Sequence, residues 1–161
     1  MNRTGIGYDI HRLDTDRPLY LGGIRIPFDK GLVGHSDADV LIHAIIDALL
    51  GAAGLPDIGS NFPDNDNRYK NINSKVLLQK ANNLVKVAGY QIVNIDSTVI
   101  CEKPKLKTHI PEMKAAIASS LNIETERINI KATTHEGFGP EGRGEAISAM
   151  ATVLLTSKNG L

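Results

Sequence analysis

The stretch HSDADVLIHAIIDALLGAAGLPDIG, residues 35–59, decides the fold. Within residues 38–56 only three side chains can ionise, and they recur every four residues: Asp39, His43 and Asp47. On a helix this spacing forms one polar stripe, while the other faces carry almost only aliphatic side chains. A helix this apolar is normally buried, and this one is too short to span a membrane. We therefore predict a central buried helix around which the rest of the chain packs.

The polar stripe of this helix needs partners, because a bare charge in an apolar interior is strongly unfavourable. His43 is either a core histidine held by its neighbours or a metal ligand. Asp47, one helical turn later, can orient an imidazole from behind, and Asp39, one turn earlier, is assigned the same supporting role. Either Ser36 or Asp37 can cap the start of the helix.

The composition is typical of one cytoplasmic domain. A chain of 161 residues fits a single domain over residues 1–161. Its 18 basic and 18 acidic side chains balance, which argues against binding to nucleic acid or to anionic membranes. The single cysteine, Cys101, excludes an intrachain disulfide and a multi-thiolate metal site. The amino-terminal MNRTGIGYDIH has no apolar signal core, so we expect a cytoplasmic location.

Beyond the central helix, the pattern predicts five strands and two helices. Strands are expected over residues 3–10, 19–26, 91–101, 128–134 and 147–155, and helices over 74–88 and 111–121. Strands and helices mix without strict alternation, so we predict an α+β domain with a mixed β-sheet covered by helices on one face. The last strand is apolar on both faces, which requires cover from the chain's own helices or from another subunit. Residues 57–73, rich in Asp, Asn, Gly and Pro, are typical of a long loop.

A D-x-H pair, Asp9 and His11, lies in the first predicted strand, and both side chains point the same way if the strand continues. With His43 they would supply two imidazole nitrogens and one carboxylate oxygen, a set suited to Zn²⁺ or Mn²⁺. Three protein ligands leave a fourth position open, as in catalytic zinc sites. The alternative is a surface pair and an unrelated core histidine. A Ser-His-Asp triad within residues 35–37 is disfavoured, because adjacent residues at a helix start rarely converge.

Two later segments carry groups that can bind phosphate. TTHEGFGPEGRGE, residues 133–145, offers hydroxyls, backbone N–H groups, a carboxylate and a guanidinium, which can hold a diphosphate and its divalent cation. The alternative is an ordinary glycine-rich hairpin. EKPKLK, residues 102–107, is a short basic loop that faces either phosphate or water.

Several longer motifs follow one another along the chain: GYDIHRL, LGGIRIP, the stretch 35–59, FPD, the PK of EKPKLK, HIPEM, KATTHE and GRGE. With them the chain resembles, nearly end to end, the 2-C-methyl-D-erythritol 2,4-cyclodiphosphate synthase family of the non-mevalonate isoprenoid pathway. The resemblance implies a phosphorus-oxygen lyase. Such an enzyme converts 4-diphosphocytidyl-2-C-methyl-D-erythritol 2-phosphate to the cyclic 2,4-diphosphate and releases CMP.

The resemblance also implies two metal sites. Asp9, His11 and His43 would hold one divalent transition metal per subunit, Zn²⁺ or Mn²⁺. Glu136 would hold Mg²⁺ or Mn²⁺ on the substrate diphosphate. His35, Thr134 and Glu136 would be the residues nearest the chemistry.

Further residues match the substrate contacts of the family. His35 and Ser36 would steady the erythritol phosphate, Asp57 would bind the erythritol hydroxyls, and the FPD loop would close over them. The cytidine would be embraced by the segment 101–107. The remaining matched positions are Ile58, Gly59, Phe62, Asp64, Asp66, Cys101, Pro104, Lys105, Leu106, Lys107, Thr133, Thr134, His135 and Arg143.

The resemblance implies a homotrimer built through the sheets, with sites between subunits and a small cytidine diphosphate substrate as the partner. The chain departs from the family at Pro140, where an aromatic residue commonly lines the central cavity of the trimer. Two rival functions stay open at this point: another metal-dependent phosphoester enzyme, such as a phosphatase or nuclease, and a non-catalytic nucleotide-binding or metal-binding module.

Overall fold

The apolar segment after Asp39 forms the predicted buried helix in a computed structural model that describes residues 1–157; residues 158–161 of the predicted domain lie outside the described residues. The strands are β1 (Asn2–Asp14), β2 (Leu19–Leu21), β3 (Ile24–Ile26), β4 (Gly31–Leu32), β5 (Tyr90–Ile100), β6 (Ile128–Thr133) and β7 (Ala146–Ser157). The helices are α1 (Val40–Ala53), α2 (Ile58–Asn61), α3 (Ser74–Val87), α4 (Ile110–Leu121) and α5 (Gly139–Gly142), with short 3₁₀ turns at Asn67–Tyr69 and Thr125–Arg127.

Five strands form the main sheet in the order β4-β1-β7-β5-β6, and β2 pairs with β3 in a separate ribbon. β5 and β6 are parallel while the other pairs are antiparallel, so the predicted mixed sheet is confirmed. The long helices α1, α3 and α4 pack against one face of this sheet. The described residues therefore form the predicted single α+β domain.

Helix α1 is the centre of the core. Six of its large aliphatic side chains are completely buried: Leu41, Ile42, Ile45, Ile46, Leu49 and Leu50. Burial of each contributes roughly 1.5–3 kcal/mol, so this helix supplies much of the apolar stabilisation. Within residues 1–157 no helix is both long and apolar enough to cross a membrane.

Strand β1 approaches α1 through glycines rather than through its apolar residues. A Cβ built on Gly5 or Gly7 would lie about 2 Å from a backbone carbonyl oxygen of α1, far inside van der Waals contact. Ile6 and Tyr8 alternate with these glycines and point to the opposite face, where they are 64% and 51% exposed. One face of the sheet thus meets α1 backbone to backbone, and the other presents apolar side chains to the surroundings.

Three local predictions need correction. The N-cap of α1 is Asp39, whose side chain accepts a hydrogen bond from the Ile42 N–H, and neither Ser36 nor Asp37 takes that place. The predicted strand 19–26 is two short strands, because consecutive glycines with positive φ, Gly22 and Gly23, turn the chain between them. The predicted loop 57–73 contains α2 and a 3₁₀ turn, each started by an aspartate cap.

Candidate metal centre and active site

The three side chains singled out as metal ligands come together at one point. Asp9 Oδ2 lies 2.9 Å from His11 Nε2 and 3.1 Å from His43 Nδ1, and the two ring nitrogens are 3.2 Å apart. β1 continues to Asp14, so Asp9 and His11 share the face that packs on α1, and α1 presents His43 to them. In the described part of the chain this is the one cluster of three such groups with metal-binding spacing.

His11 is oriented by a backbone carbonyl. Its Nδ1 lies 2.8 Å from the Val33 carbonyl oxygen, which can only accept, so Nδ1 carries the proton and Nε2 keeps a lone pair. The position of Val33 is fixed because β4 pairs with β1 and the Val33 N–H donates to the Arg12 carbonyl at 2.9 Å. The free nitrogen of His11 therefore faces Asp9 and His43.

His43 is oriented by two hydroxyls. Its Nε2 lies 3.1 Å from Ser36 Oγ and 3.1 Å from Ser74 Oγ, and its Nδ1 points into the cluster. Ser74, the first residue of α3, also hydrogen-bonds to Asp37 through both its hydroxyl and its backbone N–H. The sequence did not identify Ser74 and Asp37 as residues of this site. They contact each other across 37 positions of the chain, and no local sequence pattern predicts such a contact.

The cluster has the chemistry of a cation site. Burial alone would raise the pKa of Asp9, but the hydrogen bonds and positive charge that His11 and His43 supply when their rings are protonated outweigh it and hold the pKa at about 2. Burial would lower the pKa of His11, but the hydrogen bond and charge of Asp9 raise it instead. Two imidazole nitrogens and an ionised carboxylate directed at one point suit a divalent metal ion, and three ligands leave a coordination position free.

A cavity of about 250 Å³ opens beside the cluster. Predicted site residues lining it are Asp9, His11, His35, Ser36, His43, Asp47, Ile58, Gly59, Phe62 and Asp64. The rings of Phe62 and Tyr69 pack edge to face at 5.5 Å in its wall. His35 Nε2 is shielded from solvent and has no hydrogen-bond partner among the described residues, so the hydrogen-bonding capacity of this buried atom is unused.

The two aspartates assigned a supporting role bind backbone N–H groups. Asp39 is fully buried and accepts from Gly22, Gly23 and Ile42, which joins the start of α1 to the β2–β3 turn. Asp47 accepts from the Ile58 N–H at 2.8 Å and so holds α2 over the cavity. The partners that orient His43 are the two serines rather than these carboxylates.

The acidic residues of the loop after α1 take different positions. Asp57 is exposed, and the hydrogen bond from the Ser60 N–H lowers its pKa while capping α2. Asp64 lines the cavity. Asp66 lies outside the cavity lining and forms an ion pair with Arg68.

The remaining predicted residues lie at the far edge of the sheet. In the segment 101–107, Cys101 and Leu106 are buried while Lys105 and Lys107 are exposed. Pro104 follows Lys103 through a cis peptide bond. Burial raises the pKa of the Cys101 thiol to about 12.

The segment after β6 is held by contacts within itself. Thr134 Oγ1 donates to Glu136 Oε1 at 3.0 Å, and Glu136 has a positive φ of 52°. His135 Nδ1 lies 3.6 Å from Glu141. Further along, Arg143 Nε donates to Glu145 at 2.9 Å.

Strand register separates this edge from the metal cluster. Pairing across the sheet aligns one row of residues on one face: Ile10, Ser148, Ile100 and Thr133. Asp9 and His11 flank Ile10 in β1, so their side chains point to the opposite face. Thr133 is also three strands from β1, a lateral separation of roughly 14 Å. Within one chain, the metal cluster and the side chain of Thr133, the first residue of the TTHE segment, therefore lie on opposite faces of the sheet.

Comparison with known proteins gives matches along nearly the whole chain. A family model described as the YgbB family matches residues 2–156. A 2-C-methyl-D-erythritol 2,4-cyclodiphosphate synthase of Clostridium botulinum (strain Kyoto / Type A2) is 58% identical over 153 residues, covering 95% of this chain and 99% of that protein. The synthase of the same name from Alkaliphilus oremlandii is 56% identical over 149 residues, covering 92% of this chain and 95% of that protein.

Solved structures agree with the sequence matches. The CDP complex of IspF from Plasmodium falciparum has a TM-score of 0.86 and 37% identity, covering 98% of this chain and 97% of that one. The bifunctional IspDF of Campylobacter jejuni has a TM-score of 0.94 and 44% identity, and the match covers 98% of this chain but 42% of that longer chain.

Proposed function

This chain belongs to the YgbB family, and we propose that it catalyses the reaction after which its relatives are named, the formation of 2-C-methyl-D-erythritol 2,4-cyclodiphosphate. The proposed substrate is 4-diphosphocytidyl-2-C-methyl-D-erythritol 2-phosphate, in the non-mevalonate isoprenoid pathway. The observation that carries the proposal is the convergence of Asp9, His11 and His43 at the wall of a cavity of about 250 Å³.

The reaction is an intramolecular phosphoryl transfer. An oxygen of the 2-phosphate forms a bond to the β-phosphorus of the diphosphate, and the bond from that phosphorus to the bridging oxygen breaks. CMP leaves with the electron pair on its phosphate oxygen. Both reacting groups belong to one flexible molecule, so the protein has mainly to fold it back and neutralise charge. No protein nucleophile is required.

The residues of the cavity have distinct parts in this scheme. Asp9, His11 and His43 would hold Zn²⁺ or Mn²⁺, which when bound draws electron density from a phosphoryl oxygen. His35 Nε2, buried without a protein partner, would donate to the 2-phosphate, as would the hydroxyl of Ser36. The exposed carboxylate of Asp57 would accept from the erythritol hydroxyls.

We propose that the cytidine end binds to a neighbouring copy of the chain. The segment 101–107 would hold the base, and Thr133, Thr134 and Glu136 would hold the diphosphate with Mg²⁺ or Mn²⁺. Arg143 would add a positive charge. This arrangement is supported by the sheet register, since Thr133 and the metal cluster lie on opposite faces of the sheet within one chain.

The same face supports assembly as a homotrimer. Ile6, Tyr8, Ile10 and Met150 are each at least 41% exposed, and they lie on adjacent strands of a single sheet face. Clustered apolar side chains of this kind mark contact surfaces between proteins. Packing this face against two other copies would bring the residues after β6 of one copy towards the cavity of the next.

The test is product identification with matched variants. Purified protein incubated with the cytidyl substrate and Mg²⁺ should yield CMP and a cyclic diphosphate, both resolved by phosphorus NMR. His43→Ala should lose bound metal and turnover, whereas His109→Ala, at the N-cap of α4, removes a histidine outside the cavity and should keep both. Release of inorganic phosphate would favour the phosphatase alternative. Full turnover by His43→Ala would refute the proposed role of the cluster.

A second variant tests the other metal site. Glu136→Gln should retain the metal at the cluster but lose most of the rate, because the carboxylate beside Thr134 no longer binds the cation of the diphosphate. The measurement is turnover as a function of Mg²⁺ concentration. A Mg²⁺ dependence equal to that of the wild type would count against this role for Glu136.

A further inference from the structure

We propose that Asp37 and Ser74 are positioning residues that determine which nitrogen of His43 is free to bind a metal ion. The inference rests on the proposed function, because it concerns the metal site of that activity. It adds two residues that would orient the metal-binding ring of His43 without contacting the substrate.

The contact between Asp37 and Ser74 is built by the start of α3. The Ser74 N–H belongs to the first helical turn, where it has no partner inside the helix, and it donates to Asp37 Oδ2 at 2.9 Å. The Ser74 hydroxyl donates a second hydrogen bond to Asp37, at Oδ1. Ser74 is fully buried, so its hydroxyl cannot exchange these partners for solvent.

The direction of the hydrogen bonds follows from the carboxylate. An ionised carboxylate only accepts, so the single hydroxyl proton of Ser74 points to Asp37. Ser74 Oγ then offers a lone pair to His43 Nε2, which lies 3.1 Å away and must carry a proton. With the proton on Nε2, the Nδ1 of His43 keeps its lone pair towards Asp9.

Ser36 fits the same scheme. Its Oγ accepts from the Ala38 N–H at 3.2 Å and lies 3.1 Å from His43 Nε2, so it also presents an acceptor to that nitrogen. Its own proton is then free to point into the cavity that Ser36 lines.

The comparison with His11 explains why a carboxylate is needed. The Val33 carbonyl oriented towards His11 can never donate, so it fixes the tautomer of that ring without help. A serine hydroxyl can either donate or accept. The Ser74 hydroxyl can act only as an acceptor towards His43 if its proton is already donated to another group, and Asp37 is the group that accepts it.

The experiment measures Zn²⁺ affinity by competition with a chelating dye. Asp37→Asn keeps the shape of the side chain, but its amide can donate to Ser74 Oγ and release the hydroxyl proton towards His43 Nε2. We expect the Zn²⁺ dissociation constant to rise about 10–100-fold in Asp37→Asn and Ser74→Ala. Ser74→Thr, which retains the hydroxyl, should stay closer to the wild type. At saturating Zn²⁺, Asp37→Asn should recover most of the wild-type kcat.

Ser97→Ala is the matched control. Ser97 is buried and donates one hydroxyl hydrogen bond, to the Asn129 carbonyl at 3.0 Å, away from the cavity. The Ser97→Ala variant should bind Zn²⁺ with the affinity of the wild type. Thermal unfolding in the presence of a chelator shows whether each variant folds. If Ser74→Ala does not fold, the Zn²⁺ affinity of Asp37→Asn alone tests the proposal.

Two results would overturn the proposal. A folded Asp37→Asn variant with wild-type Zn²⁺ affinity would refute the positioning role and leave the proposed function intact. An equal loss of affinity in Ser97→Ala would show a general effect of losing a buried hydroxyl. Wild-type protein that binds neither Zn²⁺ nor Mn²⁺ would instead refute the metal site of the proposed function.

Discussion

Replacing Gly7 by alanine tests whether the close contact between β1 and α1 holds the metal cluster together. A Cβ at residue 7 would lie 1.9 Å from the Ala44 carbonyl oxygen, whereas ordinary contact begins at 3.4 Å. The two elements must therefore separate by about 1.5 Å, since a backbone carbonyl in a helix cannot turn aside as a side chain can. His43 precedes Ala44 in α1, so the same shift carries its ring away from Asp9 and His11.

The expected effects concern both stability and metal binding. Overpacking costs about 1–3 kcal/mol when side chains can adjust, and we expect at least about 3 kcal/mol here because backbone atoms collide. Metal sites tolerate ligand displacements of only about 0.2 Å. We therefore expect Gly7→Ala to lower Zn²⁺ affinity by at least about tenfold.

Gly51→Ala is the control within the same helix. Outside the backbone of its own helix, the nearest atom to a Cβ there would be the Ile6 carbonyl oxygen at 3.9 Å, and Gly51 is exposed in the helix interior. We expect this variant to gain about 0.5–1 kcal/mol from the higher helix propensity of alanine. In urea unfolding, a chelator removes the contribution of metal binding, and the use of one protein concentration for all variants holds the contribution of assembly constant. A Gly7→Ala variant within about 1 kcal/mol of the wild type, with unchanged Zn²⁺ affinity, would refute this reasoning.

Three further predictions follow from other contacts. Asp39→Ala should lower the free energy of unfolding by at least about 3 kcal/mol in urea, because three backbone N–H groups lose a buried acceptor; a loss below about 1 kcal/mol would contradict this. Cys101, with its pKa raised to about 12 by burial, should react with iodoacetamide at pH 8 only after unfolding, and equal rates in native and urea-unfolded protein would exclude this. Tyr8→Glu should shift the mass measured by light scattering from three chains to one, and a mass that stays at three chains would show that this face lies outside the contact.

The sequence predicted the parts of the fold that depend on local pattern. The apolar run of α1, the helix starting at Ser74 and the mixed sheet were all expected from periodicity and composition. The alternation in β1 showed two faces but could not show that the glycine face is the buried one. That outcome depends on how closely α1 can approach, which is a tertiary property.

The candidate site was predicted in part for the same reason. Asp9, His11 and His43 were grouped because D-x-H spacing and a buried helical histidine are recognisable in the chain itself, and they do come together. The acceptors that set their ring orientations left no such signal. Val33 contributes only a carbonyl oxygen, and Ser74 is an ordinary first residue of a helix until Asp37 is placed against it.

The position of Thr133 on the sheet face opposite the metal cluster has a genetic consequence. If each complete site draws on two copies of the chain, His43→Ala and Glu136→Gln damage different halves of it. Equal co-expression of these two inactive variants should regenerate about a quarter of the sites by random assembly, each with an intact half from either parent. Two null alleles in one cell would then complement each other, which no arrangement confined to a single chain can produce.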